Sequence, residues 1–86
     1  MSKRKLPSGN SRPEVLLRTT AELGQAVQRW RKEQKLLQLH VAGLANTGNR
    51  FIVDLENGKP TIQFQKVLAA LDVLGIDVIL RKRGAL

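Results

Sequence analysis

QLHVAGLANTGNRFIVDLENG, residues 38–58, reads as two short helices joined by a turn. The first runs from Gln38 to about Ala45. Val41 and Leu44 sit three apart and are expected to face inward, and Ala42 is small where a partner helix must come close. Asn46-Thr47-Gly48 supplies the turn, because Asn tolerates the left-handed backbone that a tight inter-helix connection needs. The next helix is predicted from Gly48 or Asn49 to Glu56, with Phe51, Ile52 and Leu55 on its apolar side. Asn57-Gly58-Lys59-Pro60 stops it, since Asn-Gly is turn chemistry and Pro cannot continue a helix.

Upstream, Thr19 and Glu22 have capping-box spacing, so two orphan amides can be satisfied reciprocally. The helix they open runs to about Gln34, with Leu23, Val27 and Trp30 on one face and basic residues near its end, where they suit the helix dipole. Downstream, Thr61 is expected to cap a fourth helix over 62–74, with Phe64, Val67, Leu68, Leu71 and Leu74 at helical spacing and Gly75 ending it. Residues 76–81, Ile-Asp-Val-Ile-Leu-Arg, are β-branched and read as one strand. A lone strand leaves backbone groups unpaired, so its expected partner is the same strand of a second copy, through Ile76, Val78, Ile79 and Leu80. The expected fold is all-α with one added strand: a four-to-five-helix domain at 19–75 and a dimerisation strand at 76–81. Residues 1–18, with Pro7, Gly9 and Pro13, form a flexible basic arm, and 82–86 a tail. Lys3, Arg4 and Lys5 in that arm are either solvated or touch DNA.

Eighty-six residues suffice for one small domain, whose core is marginal enough to favour a dimer or a tight bundle. The only aromatics are Trp30, Phe51 and Phe64, so Leu, Val, Ile and Ala must build the core. The net charge of +8 favours an anionic partner: nucleic acid, an anionic membrane or an acidic protein. Scarce aromatics weigh against a stacking platform for RNA. With no cysteine, disulfides, thiolate zinc sites and thiol nucleophiles are excluded. No apolar run reaches the ~18–20 residues of a membrane span, and no signal-peptide apolar region follows Met1–Lys5, so a cytoplasmic protein without a membrane partner is expected. His40 is the only histidine and has no second ligand at useful spacing, Asp72 and Asp77 form no acid/base pair, and no phosphate loop follows a strand. Neither an enzyme, nor a metal, nor a cofactor is expected.

Residues 38–58 also resemble the helix-turn-helix of phage-repressor-like regulators, the Cro and lambda-repressor or XRE type. Gln38 matches the Gln that opens the second helix, Val41 and Ala42 the apolar and small positions, Asn46 the turn, Ile52 and Leu55 the recognition-helix core, and Glu56-Asn57-Gly58 the closing triplet. The surroundings look closest to HipB-type antitoxins, with Leu74-Gly75-Ile76 leading into the predicted strand. That resemblance implies strand-paired dimers, repression of the protein's own operon and binding of a HipA-like serine/threonine kinase toxin. A stand-alone XRE-type regulator shares the layout, and a module that mainly neutralises a kinase is a further alternative. Three positions depart from the pattern: Lys35 for the usual Gly, Leu37 for a capping Thr or Ser, and Gly48 for Ser or Thr.

A helix-turn-helix puts the start of its recognition helix at base edges in the major groove. The expected base-contact residues are Gly48, Asn49, Arg50 and Val53. Arg can take guanine bidentately, Asn adenine, and Val a thymine methyl, although burial explains Val53 as well. Gln38, Asn57 and Lys59 are expected at phosphates, which set register without reading sequence. By resemblance, Glu56 pairs with Arg31 of the first helix. Asp54 points away from the groove or pairs with a local base. The expected partner is double-stranded DNA with a palindromic operator, its half-sites ~34 Å apart, read by a homodimer.

Overall fold

The computed structural model describes residues 13–84. Among these the chain forms four helices: α1 (Thr20–Glu33), α2 (Gln38–Ala45), α3 (Asn49–Glu56) and α4 (Phe64–Val73). α1 opens on the capping box its sequence predicts. The Thr19 hydroxyl accepts from the Glu22 amide at 3.1 Å, and the Glu22 carboxylate accepts from the Thr19 amide at 3.2 Å and the Arg18 amide at 2.6 Å.

All four helices end on the same device, a pair of nested amide-to-carbonyl bonds around one left-handed residue. The closing bonds are Leu36 to Arg31 at 3.2 Å, Thr47 to Ala42 at 2.9 Å, Lys59 to Asp54 at 3.0 Å and Ile76 to Leu71 at 2.9 Å. The left-handed residues are Lys35, Asn46, Gly58 and Gly75, with φ of 60°, 59°, 76° and 73°. Lys35 thus adopts a left-handed backbone that glycine takes without cost, and a Cβ there costs roughly 1 kcal/mol. Lys35→Gly is therefore expected to raise the urea midpoint by up to ~1 kcal/mol of stability with the slope unchanged. A lowered midpoint would show that Lys35 carries no strain.

α3 packs against both α1 and α2, and α2 also packs on α4. Val27, Val41, Ile52, Leu55, Val67 and Leu71 fill the space between them. Burying side chains of this size contributes ~1.5–3 kcal/mol each. Gln34 Nε2 donates to the Leu74 carbonyl at 2.8 Å and ties the ends of α1 and α4.

Three sequence expectations are corrected. Leu44 points outward and is 71% exposed. α2 is apolar on both sides, and Val41, Ala42 and the partly buried Ala45 form its inner face, which turns Leu44 to the outside. α4 starts at Phe64 behind Gln63, not at Thr61; Ile62 folds onto the core as part of the connection, and Phe64 stays 59% exposed. The largest correction is the C-terminal strand. Residues 76–82 carry no regular structure, and no strand occurs among the described residues, so all four elements are helices. β-branched composition makes an extended backbone cheap, but a strand needs a paired edge, and no described segment offers one. Ile76 packs on the core, while Val78, Ile79 and Leu80 are exposed.

The Lys3–Lys5 cluster lies outside the described residues. Residues 13–18 are exposed and irregular. Among the described residues no helix is long and apolar enough to cross a membrane.

Candidate nucleic-acid interface

The front of α3 is built by burying its back. Ile52, Leu55 and Glu56 are buried, which turns Asn49 and Arg50 outward in the first turn. Gly48 is the N-cap, in extended backbone with φ −78° and ψ 157°, and gives no side-chain cap. A Cβ at Gly48 would meet nothing within 4 Å, so the fold does not demand glycine there. Val53 is half-buried, which leaves part of its side chain on the surface. Phe51 packs against the core with Lys66 Nζ 5.9 Å from its ring centroid, which accounts for the aromatic without base insertion. Lys66 thereby stands beside α3, a cation that the sequence pattern alone did not connect to it.

Asp54 lies one turn after Arg50 and pairs with two local bases. Arg50 Nε is 3.2 Å from one carboxylate oxygen and Lys59 Nζ is 3.5 Å from the other. The Asp54 side chain is only 18% exposed, whereas those of Arg50 and Lys59 are 80% and 51% exposed. The acid is thus tucked behind the cations. Asn57 is exposed and is the C-cap of α3.

Glu56 is the junction of the first three helices. Arg31 of α1 donates to it twice, Nε at 2.5 Å and Nη2 at 2.9 Å. Arg31 Nη1 also donates to the Leu36 carbonyl at 2.7 Å and so fastens the α1–α2 connection. Gln38 Nε2 of α2 reaches Glu56 at 3.0 Å, and Gln28 Nε2 of α1 at 3.4 Å. Burial alone would push the Glu56 carboxyl up. The Arg31 and Gln38 hydrogen bonds, the Arg31 charge and the Gln28 bond outweigh it and hold the group below the usual glutamate range. The resemblance had suggested Arg31 for this carboxylate; the two glutamines are additions from the fold. Gln38, expected at a phosphate, spends one amide hydrogen on Glu56 and keeps a second.

No side chain replaces the cap oxygen missing at Leu37; only the reciprocal half of a capping box is made. The Leu37 amide donates to His40 Nδ1 at 3.2 Å, so the exposed histidine is an acceptor for the start of α2. Gly24 makes a contact that helical spacing does not reveal; the signal in the sequence is only a glycine inside a helical pattern, where it costs ~1 kcal/mol against alanine. An added Cβ there would lie 2.6 Å from the Leu55 carbonyl oxygen and closer still to that of Glu56. Across the next loop, the Thr20 hydroxyl donates to the Gly58 carbonyl at 2.8 Å. These contacts seat α1 directly on the end of α3.

Away from α2 and α3, neither of which contributes to its lining, α1, α4 and the segments flanking them line an open groove of about 1160 Å³. Leu16, Phe64, Val78, Ile79 and Leu80 lie along it with exposed apolar surface.

An HTH-type transcriptional regulator of Sinorhizobium fredii (strain NBRC 101917 / NGR234), y4mF, is 52% identical to this chain over 62 residues, which cover 72% of this chain and 82% of the relative. A solved structure of an MDT protein shares the fold with a TM-score of 0.76 at 15% identity, over 83% of this chain and all of that one. No family profile matches the chain.

Proposed function

The chain belongs to the HTH-type transcriptional regulators, and from that premise we propose that it is a sequence-specific repressor that reads a palindromic operator as a homodimer. The observation that carries this reading is the exposed first turn of α3, Asn49 and Arg50, on a helix whose other side is locked into the core. In a major groove Arg50 would take guanine O6 and N7, Asn49 an adenine, and the Gly48 backbone and Val53 side chain the adjoining base edges. Gln38, Asn57 and Lys59, with Lys66 beside them, would meet phosphates and set the register.

Support for the dimer comes from the groove lined by α1 and α4. Its exposed apolar surface is of the kind that marks an interaction site, and a second copy would cover it while leaving both α3 helices outward. A narrower reading rests on the sequence resemblance of Leu74-Gly75-Ile76 to HipB-type antitoxins alone, without the strand: the protein would be the antitoxin of a HipBA-like pair, repress its own operon and bind a HipA-like kinase. Co-purification with the product of the adjacent gene separates that reading from a stand-alone regulator.

The test is binding to the DNA upstream of the protein's own gene, against a random duplex. Arg50→Ala is expected to lose ~1–3 kcal/mol of sequence preference. Lys59→Ala should weaken both duplexes alike and reduce the salt slope by about 0.9. Equal losses on both duplexes for Arg50→Ala would contradict the base-reading role. A footprint without two-fold symmetry would contradict the dimeric geometry.

A further inference from the structure

We infer that Asp54 is a specificity-determining positioning residue, which holds the Arg50 guanidinium so that its outer edge presents two parallel donors to guanine. This rests on the reading of Arg50 given above and goes beyond it. An arginine on an exposed helix turn has several rotamers, and each must be frozen on binding. Arg50 is 80% exposed, and among the described residues its only ion pair is with Asp54. That pair is made through Nε, 3.2 Å from Asp54 Oδ1. The bidentate contact to guanine O6 and N7 needs two N–H donors on one edge of the planar guanidinium. A carboxylate beside Nε leaves the Nη groups for that edge and restricts the rotamers from which the fork is offered. The second Asp54 oxygen faces Lys59 Nζ at 3.5 Å, and the carboxylate is only 18% exposed, so it has less freedom than the arginine it faces.

The same carboxylate acts against indiscriminate binding. Arg50 and Lys59 share one negative charge at the face that would meet phosphates. Any duplex that draws them away must break those pairs, whereas guanine can be taken by Arg50 with the Nε pair intact. Asp54 therefore lowers affinity for random DNA while sharpening the choice of base. It adds little to folding, because an i, i+4 pair whose cation is 80% exposed is weak in water.

The test uses the full chain. Selection from a randomised duplex library with the unmodified protein and with Arg50→Ala locates the position whose guanine preference depends on Arg50. Asp54→Ala is then expected to reduce that preference roughly three- to tenfold, a part of what a bidentate contact discriminates. The same variant should bind random duplex more tightly, with a salt slope steeper by up to ~0.9 for each cation released to a phosphate. Asp54→Glu, which keeps the charge one turn from Arg50, should restore much of the preference. Thermal midpoints should barely move. A role confined to folding would weaken specific and random binding together and lower the midpoint, which would overturn the inference. So would a guanine preference lost in Arg50→Ala but intact in Asp54→Ala. If no position depends on Arg50 at all, it is the base-reading role of Arg50 that falls.

Discussion

Arg31→Ala is expected to destabilise the fold by ~3–5 kcal/mol, because it leaves a buried carboxylate without its charged partner. The total stability of an 86-residue domain is of order 4–13 kcal/mol, so the variant should be substantially unfolded in mild urea. The loss comes less from the pair's attraction than from the stranded Glu56 charge, for which Gln28 and Gln38 supply dipoles but no cation. Replacing both partners tests this account. Arg31→Met with Glu56→Leu removes the charge and keeps the volume, and should recover much of what Arg31→Ala loses. A double variant as unstable as the single one would show that the ion pair itself, not the stranded charge, carries the stability. The pair also sets an acid limit. An unfolded glutamate titrates near 4.5, and Glu56 lies lower when folded. Its contribution is therefore complete above about pH 4.5 and is lost as pH falls through the lower, folded value. The stability gap between the protein and Glu56→Gln should shrink across that acid window, as measured by urea unfolding at a series of pH values. A gap that widened in acid would contradict the assignment.

Gly24→Ala is expected to be strongly destabilising, although it adds a single methyl group. In an exposed helix interior the same change is worth up to ~1 kcal/mol in the stabilising direction. At Gly24 the new Cβ would lie 2.6 Å from the Leu55 carbonyl oxygen and 2.8 Å from the Glu56 carbonyl carbon. These are backbone atoms of α3, so no side chain can swing aside, and α1 must lift off α3. Overpacking of this kind costs ~1–3 kcal/mol and sometimes more. Arg31 lies two turns further along the same face, so lifting α1 also stretches its bonds to Glu56. Gly43 is the control: it sits in α2 with nothing within 4 Å of an added Cβ. Gly43→Ala should stabilise while Gly24→Ala destabilises, and thermal unfolding of the two variants reads the opposite signs directly. Two shifts of the same sign would remove the close-approach argument.

The exposure of the first turn of α3 is legible in the sequence. Asn49 and Arg50 stand exposed at the start of a helix bounded by Gly48 and Asn57. Those boundaries are written locally, in a turn residue and an Asn-Gly stop. Asp54 was read as pairing with a local base or pointing away, and the fold gives it two bases, Arg50 and Lys59. Neither could be ranked from spacing alone, because Lys59 reaches back only once the chain has turned at Gly58. Gln38 was assigned to a phosphate, and the fold adds a bond to Glu56 that no short-range pattern encodes.

The sequence by itself determined where α1 begins and where α2, α3 and α4 end. Thr19 with Glu22, Asn46, Asn57-Gly58 and Gly75 act on amides and carbonyls within about five residues, and that chemistry does not depend on the rest of the fold. Tertiary structure alone decided which apolar faces find a partner. It left Leu44 and Phe64 outside, brought Gly24 against the α3 backbone and gathered Gln28, Arg31 and Gln38 around Glu56. It also left the β-branched run at 76–81 without a strand. Periodicity shows that a face is apolar, but burial and pairing need a second surface, and that surface comes from residues far along the chain.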